Sequence, residues 1–249
     1  MQLDAVSHVQ SRAKVDSELA YAGVLERFKK LALTEDDLRR VQRYVRNEAP
    51  IVIHVRLDQV LQFFVKDTNY RNQFETNRSN GSMSHSSRVQ WEDRMFNNIY
   101  HDSNGFDRVK YGVLNLANDP LGVQSCYGYG DSYFYMDNSI RLRTTFASCD
   151  TASSGAQMAT CEYYTHVLST YSDDELKNIH LVASGKQIAA SSRTSSAYKE
   201  IQMHGSVQLN RDIKALMVNP RHKAMNDVMK MVREFCDHNG CPSCCIMDC

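Results

Sequence analysis

A regular alternation of polar and apolar side chains runs through residues 198–205 and predicts a β-strand. Glu200, Gln202 and His204 fall on one face of this strand, and the two apolar side chains between them fall on the other. We expect the apolar face to pack against a core and the polar face to stay open. A carboxylate, an amide and an imidazole in one row can position a polar ligand and stabilise a developing positive charge. The alternative is an edge strand whose polar face is simply solvated.

The charge balance limits the range of partners. The chain has 249 residues with 29 basic and 29 acidic side chains, so its formal net charge is zero. Because no net field attracts a polyanion, neither nucleic acid nor an anionic membrane is an expected partner. The sequence shows no signal-peptide core, and no run approaches the roughly 20 apolar residues that span a bilayer. We therefore expect a soluble, cytoplasmic protein without a membrane span.

The cysteines are concentrated at one end of the chain. Five of the eight lie between Cys236 and Cys249. This distribution differs from the framework of a small disulfide-bonded domain and favours a reducing compartment. The CxxC pair of Cys241 and Cys244 offers thiolates to a zinc ion, but one pair is a weak signal. We predict no metal site and interpret residues 236–249 as a cysteine-rich tail. Cutting the chain after Arg233 is then expected to remove few buried contacts.

Residues 1–49 have a helical pattern and predict an N-terminal helical subdomain. Thr34 and Asp37 resemble a capping box at the start of a second helix, and Pro50 ends the region. The alternative is that these helices are ordinary parts of a single core. The apolar positions that recur at helical spacing are Val15, Leu19, Ala22, Leu25, Phe28, Leu38, Val41 and Val45.

Residues 50–235 combine short strands with helices, which predicts an α+β domain with a mainly antiparallel sheet. A β-branched strand at 51–56 carries His54 and is followed by an amphipathic helix at 57–64. Further strands are predicted at 111–116, 126–136, 141–146, 179–183, 200–207 and 213–218, and further helices at 160–170 and 221–236.

The stretch at 70–87 is rich in Asn, Ser and Arg and contains turn residues at 79–81. It is too polar for a core, and we interpret it as a binding loop or a mobile lid. Trp91 and Phe96 restore apolar character after it, and we interpret both as core residues.

A series of separated blocks carries a family resemblance. The blocks are Tyr70-Arg71-Asn72-Gln73-Phe74-Glu75-Thr76, Ser79-Asn80-Gly81, Trp91-Glu92, Lys110-Tyr111-Gly112-Val113-Leu114-Asn115-Leu116, Arg143-Thr144-Thr145-Phe146 and Glu200-Ile201-Gln202-Met203-His204-Gly205. In this order they resemble a largely bacterial family known only as a domain of unknown function, over residues 50–220. The family's name implies no activity.

A second and more distant resemblance concerns the order of elements. A strand with a histidine, an amphipathic helix, a segment rich in Thr and Ser, and a late strand with a glutamate follow one another. This order is similar to that of the ADP-ribosyltransferase fold, a split and mainly antiparallel sheet. The matching positions are His54, residues 144–148 and Glu200. The resemblance implies that residues 50–235 form an ADP-ribosyltransferase-like domain.

The same resemblance implies NAD as the substrate and Glu200 as the catalytic residue at the nicotinamide ribose. His54 would hold the adenylate side through a ribose hydroxyl, and Arg71 would pair with the pyrophosphate. Tyr111 and Phe146 either stack on nicotinamide or are ordinary core aromatics. The complete predicted NAD-binding set is His54, Arg71, Tyr111, Thr144, Phe146, Ser148 and Gln202.

Three functions stay open from the sequence. The first is an NAD-dependent transferase that moves ADP-ribose to an unidentified acceptor, for which a protein is favoured over a nucleic acid or a small molecule. It would act either in the cytoplasm or, as in toxin-like effectors, after delivery into a host cytosol. The second is an NAD glycohydrolase, in which water is the acceptor. The third is a catalytically degenerate module that binds a nucleotide or a protein. Tyr198 stands where toxin-like members carry an additional glutamate, which argues against modification of arginine.

Overall fold

We describe the fold from a computed structural model, and the description covers residues 1–76, 84–152, 155–194, 197–240 and 244–247. The predicted turn at 79–81 lies outside these ranges. The helices are α1 (Gln2–Lys30), α2 (Glu35–Asn47), α3 (Leu57–Phe64), α4 (Gln73–Thr76), α5 (His85–Phe96), α6 (Thr165–Leu168), α7 (Asp173–Ala183), α8 (Ala190–Thr194), α9 (Leu209–Asp212) and α10 (Asn226–Asn239). The strands are β1 (Ile51–Val55), β2 (Lys110–Leu114), β3 (Ser132–Met136), β4 (Thr144–Ala147), β5 (Met158–Thr160), β6 (Glu200–Met203), β7 (Ile213–Val218) and β8 (Cys244–Ile246). Short 3₁₀-helices occupy Gly105–Asp107, Gln124–Tyr129, Asn138–Arg143 and Pro220–Ala224.

The strands of the described ranges form one sheet in the order β5-β4-β6-β2-β1-β3-β7-β8. Neighbouring strands are antiparallel, except that β8 runs parallel to β7. The predicted combination of helices with a mainly antiparallel sheet is therefore confirmed.

One face of the sheet forms the main apolar core. Ile201 and Met203 of β6 lie on this face with Phe134 and Phe146, and all four side chains are fully buried. Residues of α2, α3, α7 and α10 complete the core. Because side chains alternate along a strand, Glu200 and the other polar groups of β6 lie on the opposite face.

Strand β6 is an interior strand, and this corrects both expectations for its polar face. It pairs with β2 on one side and with β4 on the other, so it is not an edge strand. The polar face is not open either, since Glu200, Gln202 and His204 are 6%, 0% and 1% exposed. At the end of α5, Phe96 packs edge-on against the His204 ring, with centroids 5.0 Å apart. The polar row is buried, so each group in it needs a hydrogen-bond partner.

Helix α1 buries the predicted apolar stripe only near its C-terminal end, where Phe28 is fully buried. Val15 and Leu19 are exposed, whereas the small side chains of Ala13 and Ser17 are buried. These small residues allow α1 to lie close to β5 and α6, which it contacts. The expected stripe rests on apolar character alone and overlooks side-chain size.

Capping boxes define the starts of two helices. The backbone N–H of Thr34 donates to Asp37 Oδ2 at 2.9 Å, and Thr34 Oγ1 accepts from the Asp37 N–H, which confirms the predicted start of α2. Ser172 and Glu175 form the same arrangement at the start of α7. Since α7 includes residues 179–183, the strand predicted there is wrong. A five-residue apolar run is too short to distinguish a strand from a helix.

Other predicted elements have different boundaries. The strands expected at 126–136 and 141–146 are shorter, because 3₁₀-helices precede β3 and β4. The helix expected at 160–170 is interrupted, since β5 ends at Thr160 and only Thr165–Leu168 is helical.

The C-terminal segment is more firmly attached than predicted. Cys244–Ile246 forms β8 and extends the sheet beyond β7. Phe235 is fully buried and contacts Phe134 with ring centroids 5.6 Å apart, and Met247 is also buried. The expectation of few buried contacts near the C-terminus is therefore wrong.

The N-terminal helices pack on the rest of the chain. Helix α1 contacts β5 and α6, and α2 contacts α7. The predicted boundary at residue 49 and the division into three parts stay predictions. Within the described ranges, each helix is too short or too polar to cross a membrane.

Candidate active site

Glu200 is a buried carboxylate with three side-chain donors. Its Oε1 accepts hydrogen bonds from Thr151 Oγ1 and from Gln202 Nε2, the latter at 2.9 Å. Its Oε2 accepts from the hydroxyl of Tyr198 at 3.1 Å. Burial raises the pKa of Glu200 above its ordinary value, while the bonds from Thr151, Gln202 and Tyr198 act in the opposite direction. Both carboxylate oxygens are thus fixed in position.

A chain of hydrogen bonds extends from Glu200 along the polar face, and we call it the Glu200 network. Gln202 Oε1 accepts from Thr145 Oγ1 at 2.9 Å, and Thr145 Oγ1 lies 3.0 Å from His204 Nε2. Tyr100 OH lies 2.7 Å from His204 Nδ1. Burial lowers the pKa of His204 to about 3, so the ring is neutral and has one donor and one acceptor nitrogen.

The orientation of the Gln202 amide and the neutrality of His204 together set the directions of the bonds in the network. Because the Thr145 hydroxyl donates to Gln202, it accepts from the Nε2–H of His204. Nδ1 of His204 is then the acceptor for the hydroxyl of Tyr100. All donors therefore point along one path toward Glu200.

A second buried carboxylate, Glu92, lies beside this network. It accepts from Arg108 Nη1 at 2.8 Å and from the hydroxyl of Tyr111 at 3.1 Å. Tyr111 pairs with Gln202 across β2 and β6, so its side chain shares the face of the network. Burial raises the pKa of Glu92 to about 7, although Arg108 opposes the shift.

His54 does not meet Glu200 in the structure. Its strand, β1, is separated from β6 by β2. Nδ1 donates to the carbonyl of Gly130 at 2.8 Å, and Nε2 accepts from the N–H of Val123 at 3.0 Å. Both ring nitrogens are therefore used by backbone groups, and the imidazole fixes the loop between β2 and β3 instead of being free for a ribose hydroxyl.

Arg71 is paired within its own segment. Its guanidinium contacts Asp67 Oδ2 at 2.8 Å and Glu75 Oε1 at 2.8 Å. Hydrogen bonds to these carboxylates raise the pKa of Arg71 above its ordinary value. Two acidic partners already neutralise the charge that the predicted pyrophosphate contact requires.

The segment 144–148 contributes a different residue from those predicted. Thr144 pairs with Met203 and Phe146 with Ile201, so both lie on the core face and not on the face of Glu200. The hydroxyl of Thr144 donates to the carbonyl of Ile140 at 2.8 Å. A shift of one residue reverses the face, and it is Thr145 that joins the Glu200 network.

Phe146 and Ser148 are occupied by structural contacts. Phe146 packs edge-on against Tyr164, with ring centroids 6.1 Å apart, and is therefore not available to stack on nicotinamide. Ser148 Oγ accepts from the N–H of Gln157 at 2.9 Å. Among the predicted NAD-binding residues, Gln202 and Tyr111 are the two that the structure brings to the Glu200 side.

A cavity of about 670 Å³ lies between α1, α5 and the loop before β5, and we call it the α1–α5 cavity. Thr151 lines it and also donates to Glu200, so this side chain connects the cavity wall with the buried carboxylate. Arg12 and Trp91 line it from the two helices. Trp91 is only partly buried, which corrects its interpretation as a core residue, whereas Phe96 is fully buried as expected.

Sequence reasoning missed several residues of this site. Thr151 and Glu92 reach the site only through tertiary contacts, and neither belongs to a sequence motif that indicates a function. Arg12 was part of an unremarkable helix. The spacing of Trp91 and Arg94 on one helix face was a usable signal, because residues three apart are neighbours on a helix.

The described ranges contain no group of three or more His, Cys, Asp or Glu side chains placed to hold a metal ion. Cys241 and Cys249, two of the tail cysteines, lie outside those ranges.

The sequence was also compared with known proteins. No curated protein matches it. The family described as protein of unknown function DUF3626 matches residues 50–185, which is more than half of the chain. The match ends before β6 and thus before Glu200, whereas the predicted resemblance extends to residue 220. The predicted membership is confirmed, and the chain belongs to the DUF3626 family of proteins of unknown function.

Proposed function

We propose that the protein is an NAD-dependent enzyme with an ADP-ribosyltransferase-like fold, which transfers ADP-ribose to a protein acceptor. The observation that carries the proposal is the setting of Glu200, a buried carboxylate on an interior strand. Three donors hold it, and one of them, Thr151, also lines a cavity. The order of elements along the chain resembles that of the transferase fold, and this resemblance supports the same function.

The proposed reaction places a specific demand on Glu200. The bond between ribose C1′ and the nicotinamide nitrogen breaks, and its electron pair leaves with neutral nicotinamide. The ribose passes through an oxocarbenium-like state that carries positive charge, as in glycosyl transfer. A fixed carboxylate next to this charge stabilises the transition state more than the ground state. The acceptor nucleophile then bonds to C1′ and releases its proton to water.

The Glu200 network suits this role because it favours the ionised form. Thr151, Gln202 and Tyr198 all donate to the carboxylate, and a neutral acid would lose part of this bonding. Burial raises the pKa of Glu200, so activity should fall on acidification at a higher pH than for an exposed glutamate. The three bonds oppose the rise in pKa that burial causes and hold the carboxylate in one position.

One observation favours a second candidate, an NAD glycohydrolase. The hydroxyl of Tyr198 contacts Glu200 at 3.1 Å, at the position where toxin-like transferases carry a glutamate. Burial raises the pKa of Tyr198, so this hydroxyl stays protonated. A protonated hydroxyl cannot take a proton from an arginine substrate, whereas a second carboxylate can. The presence of Tyr198 therefore favours water, which is small and abundant, as the group that receives ADP-ribose.

The test is incubation of the purified protein with NAD labelled in the ADP-ribose half, with and without cell lysate. We expect release of nicotinamide, and label on protein identifies a transferase whereas free ADP-ribose identifies a glycohydrolase. Glu200→Gln should lower turnover by about a hundredfold or more, the scale of losing one charge-stabilising group. Glu234→Gln, on the surface of α10, is the matched control and should keep native turnover.

A thermal melt of each variant verifies its fold. Native turnover in a folded Glu200→Gln variant would remove Glu200 from catalysis. The absence of nicotinamide release by the native protein in both conditions would refute the proposed function.

A further inference from the structure

We propose that the α1–α5 cavity binds the diphosphate of a nucleotide through Arg12 and Arg94, with the base against Trp91. The inference rests on the proposed function, because it assigns the ADP half of NAD to this cavity. It differs from the sequence-based assignment, in which Arg71 and His54 hold that half.

Two arginines face the cavity from different helices. Arg12 lies one turn after His8 on α1, and Arg94 lies one turn after Trp91 on α5, so each pair shares a helix face. Neither Arg12 nor Arg94 has a carboxylate partner among the residues that the structure describes. Arg71, in contrast, is held by two carboxylates.

The chemistry of these side chains fits a phosphate-bearing ligand. The planar guanidinium of arginine pairs with phosphate oxygens through two parallel hydrogen bonds, and two arginines suit a diphosphate. Trp91 adds an aromatic face, on which any base can stack. The volume of about 670 Å³ lies within the roughly 300–1,000 Å³ of cavities that bind small ligands.

The position of the cavity connects it with the reactive group. Thr151 lines the cavity and donates to Glu200, so the cavity wall is one side chain away from the carboxylate. In NAD the diphosphate joins the adenosine to the ribose that carries nicotinamide. An occupant held by Arg12 and Arg94 would therefore extend toward Glu200.

One lining residue acts against an anion. Asp16 lies one turn after Arg12 on α1 and also lines the cavity. Its carboxylate repels phosphate, so its removal should strengthen binding, the opposite of the effect of removing either arginine.

The chain offers a direct probe of occupancy. Trp91 is its only tryptophan, so intrinsic tryptophan fluorescence reports on the surroundings of this one side chain, which lines the cavity. Titration with ADP-ribose, which needs no turnover, should give a saturable change that inorganic pyrophosphate competes away. Arg12→Gln and Arg94→Gln should each weaken ADP-ribose binding about tenfold or more, the scale of one charge-assisted contact. Asp16→Asn should strengthen it.

Arg43→Gln, an exposed arginine of α2 away from the cavity, is the control and should bind like the native protein. No fluorescence response to ADP-ribose, or unchanged affinity in both folded cavity variants, would overturn the inference. A response to pyrophosphate and none to ADP-ribose would refute a nucleotide as the ligand.

Nicotinamide release separates this inference from the proposed function. Arginine-dependent ADP-ribose binding without any NAD turnover would support the cavity and refute the enzyme. NAD turnover with an unchanged KM in Arg12→Gln and Arg94→Gln would support the enzyme and refute the cavity.

Discussion

Gln202 uses both ends of its amide to join Glu200 to the rest of the buried polar row. Its Nε2 donates to Glu200 Oε1 at 2.9 Å, while its Oε1 accepts from Thr145 Oγ1 at the same distance. An amide has one donor end and one acceptor end, so only this orientation satisfies both neighbours. The reversed amide would place an oxygen against the carboxylate.

Replacing Gln202 by Met keeps the length of the side chain but removes both hydrogen bonds. We expect the free energy of unfolding to fall by about 2–4 kcal/mol, because the buried partners lose their contacts. NAD turnover should fall as well, since Glu200 loses one of its three donors. Urea denaturation and nicotinamide release measure the two effects.

Gln62→Met, on the exposed side of α3, is the control for this change and should alter unfolding by less than about 0.5 kcal/mol. If Gln202→Met were as stable and as active as the native protein, the network would have no role in holding Glu200.

Thr144 and Thr145 form a matched pair on opposite faces of β4. Thr145→Val removes a hydroxyl of the Glu200 network and should lower both stability and kcat. Thr144→Val removes a hydroxyl on the core face that bonds only the backbone of Ile140, and should lower stability by about 1 kcal/mol without changing kcat. Equal kcat values in the two variants would show that the face of the sheet does not matter for activity.

Glu92 should make stability depend on pH in mild acid. Its pKa rises from 4.5 to about 7 on folding, so between these values the folded state binds more protons than the unfolded chain. The free energy of unfolding contributed by Glu92 is therefore greatest below about pH 4.5. It should decrease by roughly 3 kcal/mol as pH rises through 7.

Urea denaturation at several pH values tests this dependence. Glu92→Gln has no carboxyl to titrate, so its unfolding free energy should vary less between pH 4.5 and 7 than that of the native protein. Identical pH profiles would show that another group causes the dependence.

The C-terminal segment should be needed for stability. Cutting the chain after Arg233 removes Phe235, and loss of a buried Phe side chain costs about 3–5 kcal/mol. Phe235→Ala alone should account for most of this loss, while Glu234→Ala on the same turn should be nearly neutral. Thermal and urea denaturation compare the truncated chain with the two point variants. Native stability of the truncated chain would contradict the packing of α10.

Much of the fold could be predicted because local patterns agree with tertiary structure. The β-branched run and the amphipathic helix after it correspond to β1 and α3, and Thr34 with Asp37 marks the start of α2. The strand at 179–183 is wrong because its apolar run is short. Ser172 and Glu175, just upstream, form a capping box, and this pattern predicts a helix rather than a strand for the residues that follow.

The site could be predicted only in part. Glu200 and Gln202 share a face because strand alternation is a local rule, and their contact confirms that placement. The face of Thr144 and Phe146 depends on the register with β6, which a single sequence does not reveal. The ion pairs of Arg71 could partly be predicted from the sequence, since Asp67 and Glu75 lie four residues before and after it.

The interior position of β6 also determines when the protein can finish folding. During synthesis β2 and β4 emerge well before β6, and the two edges that β6 will join have no partner until then. Such unpaired edges favour association between chains, and pairing between distant segments is slow. A fragment limited to residues 50–185 would keep both edges open. The strand that carries Glu200 thus also joins β4 to β2 in the sheet. A chain that ends before this strand therefore has neither the carboxylate nor a completed fold.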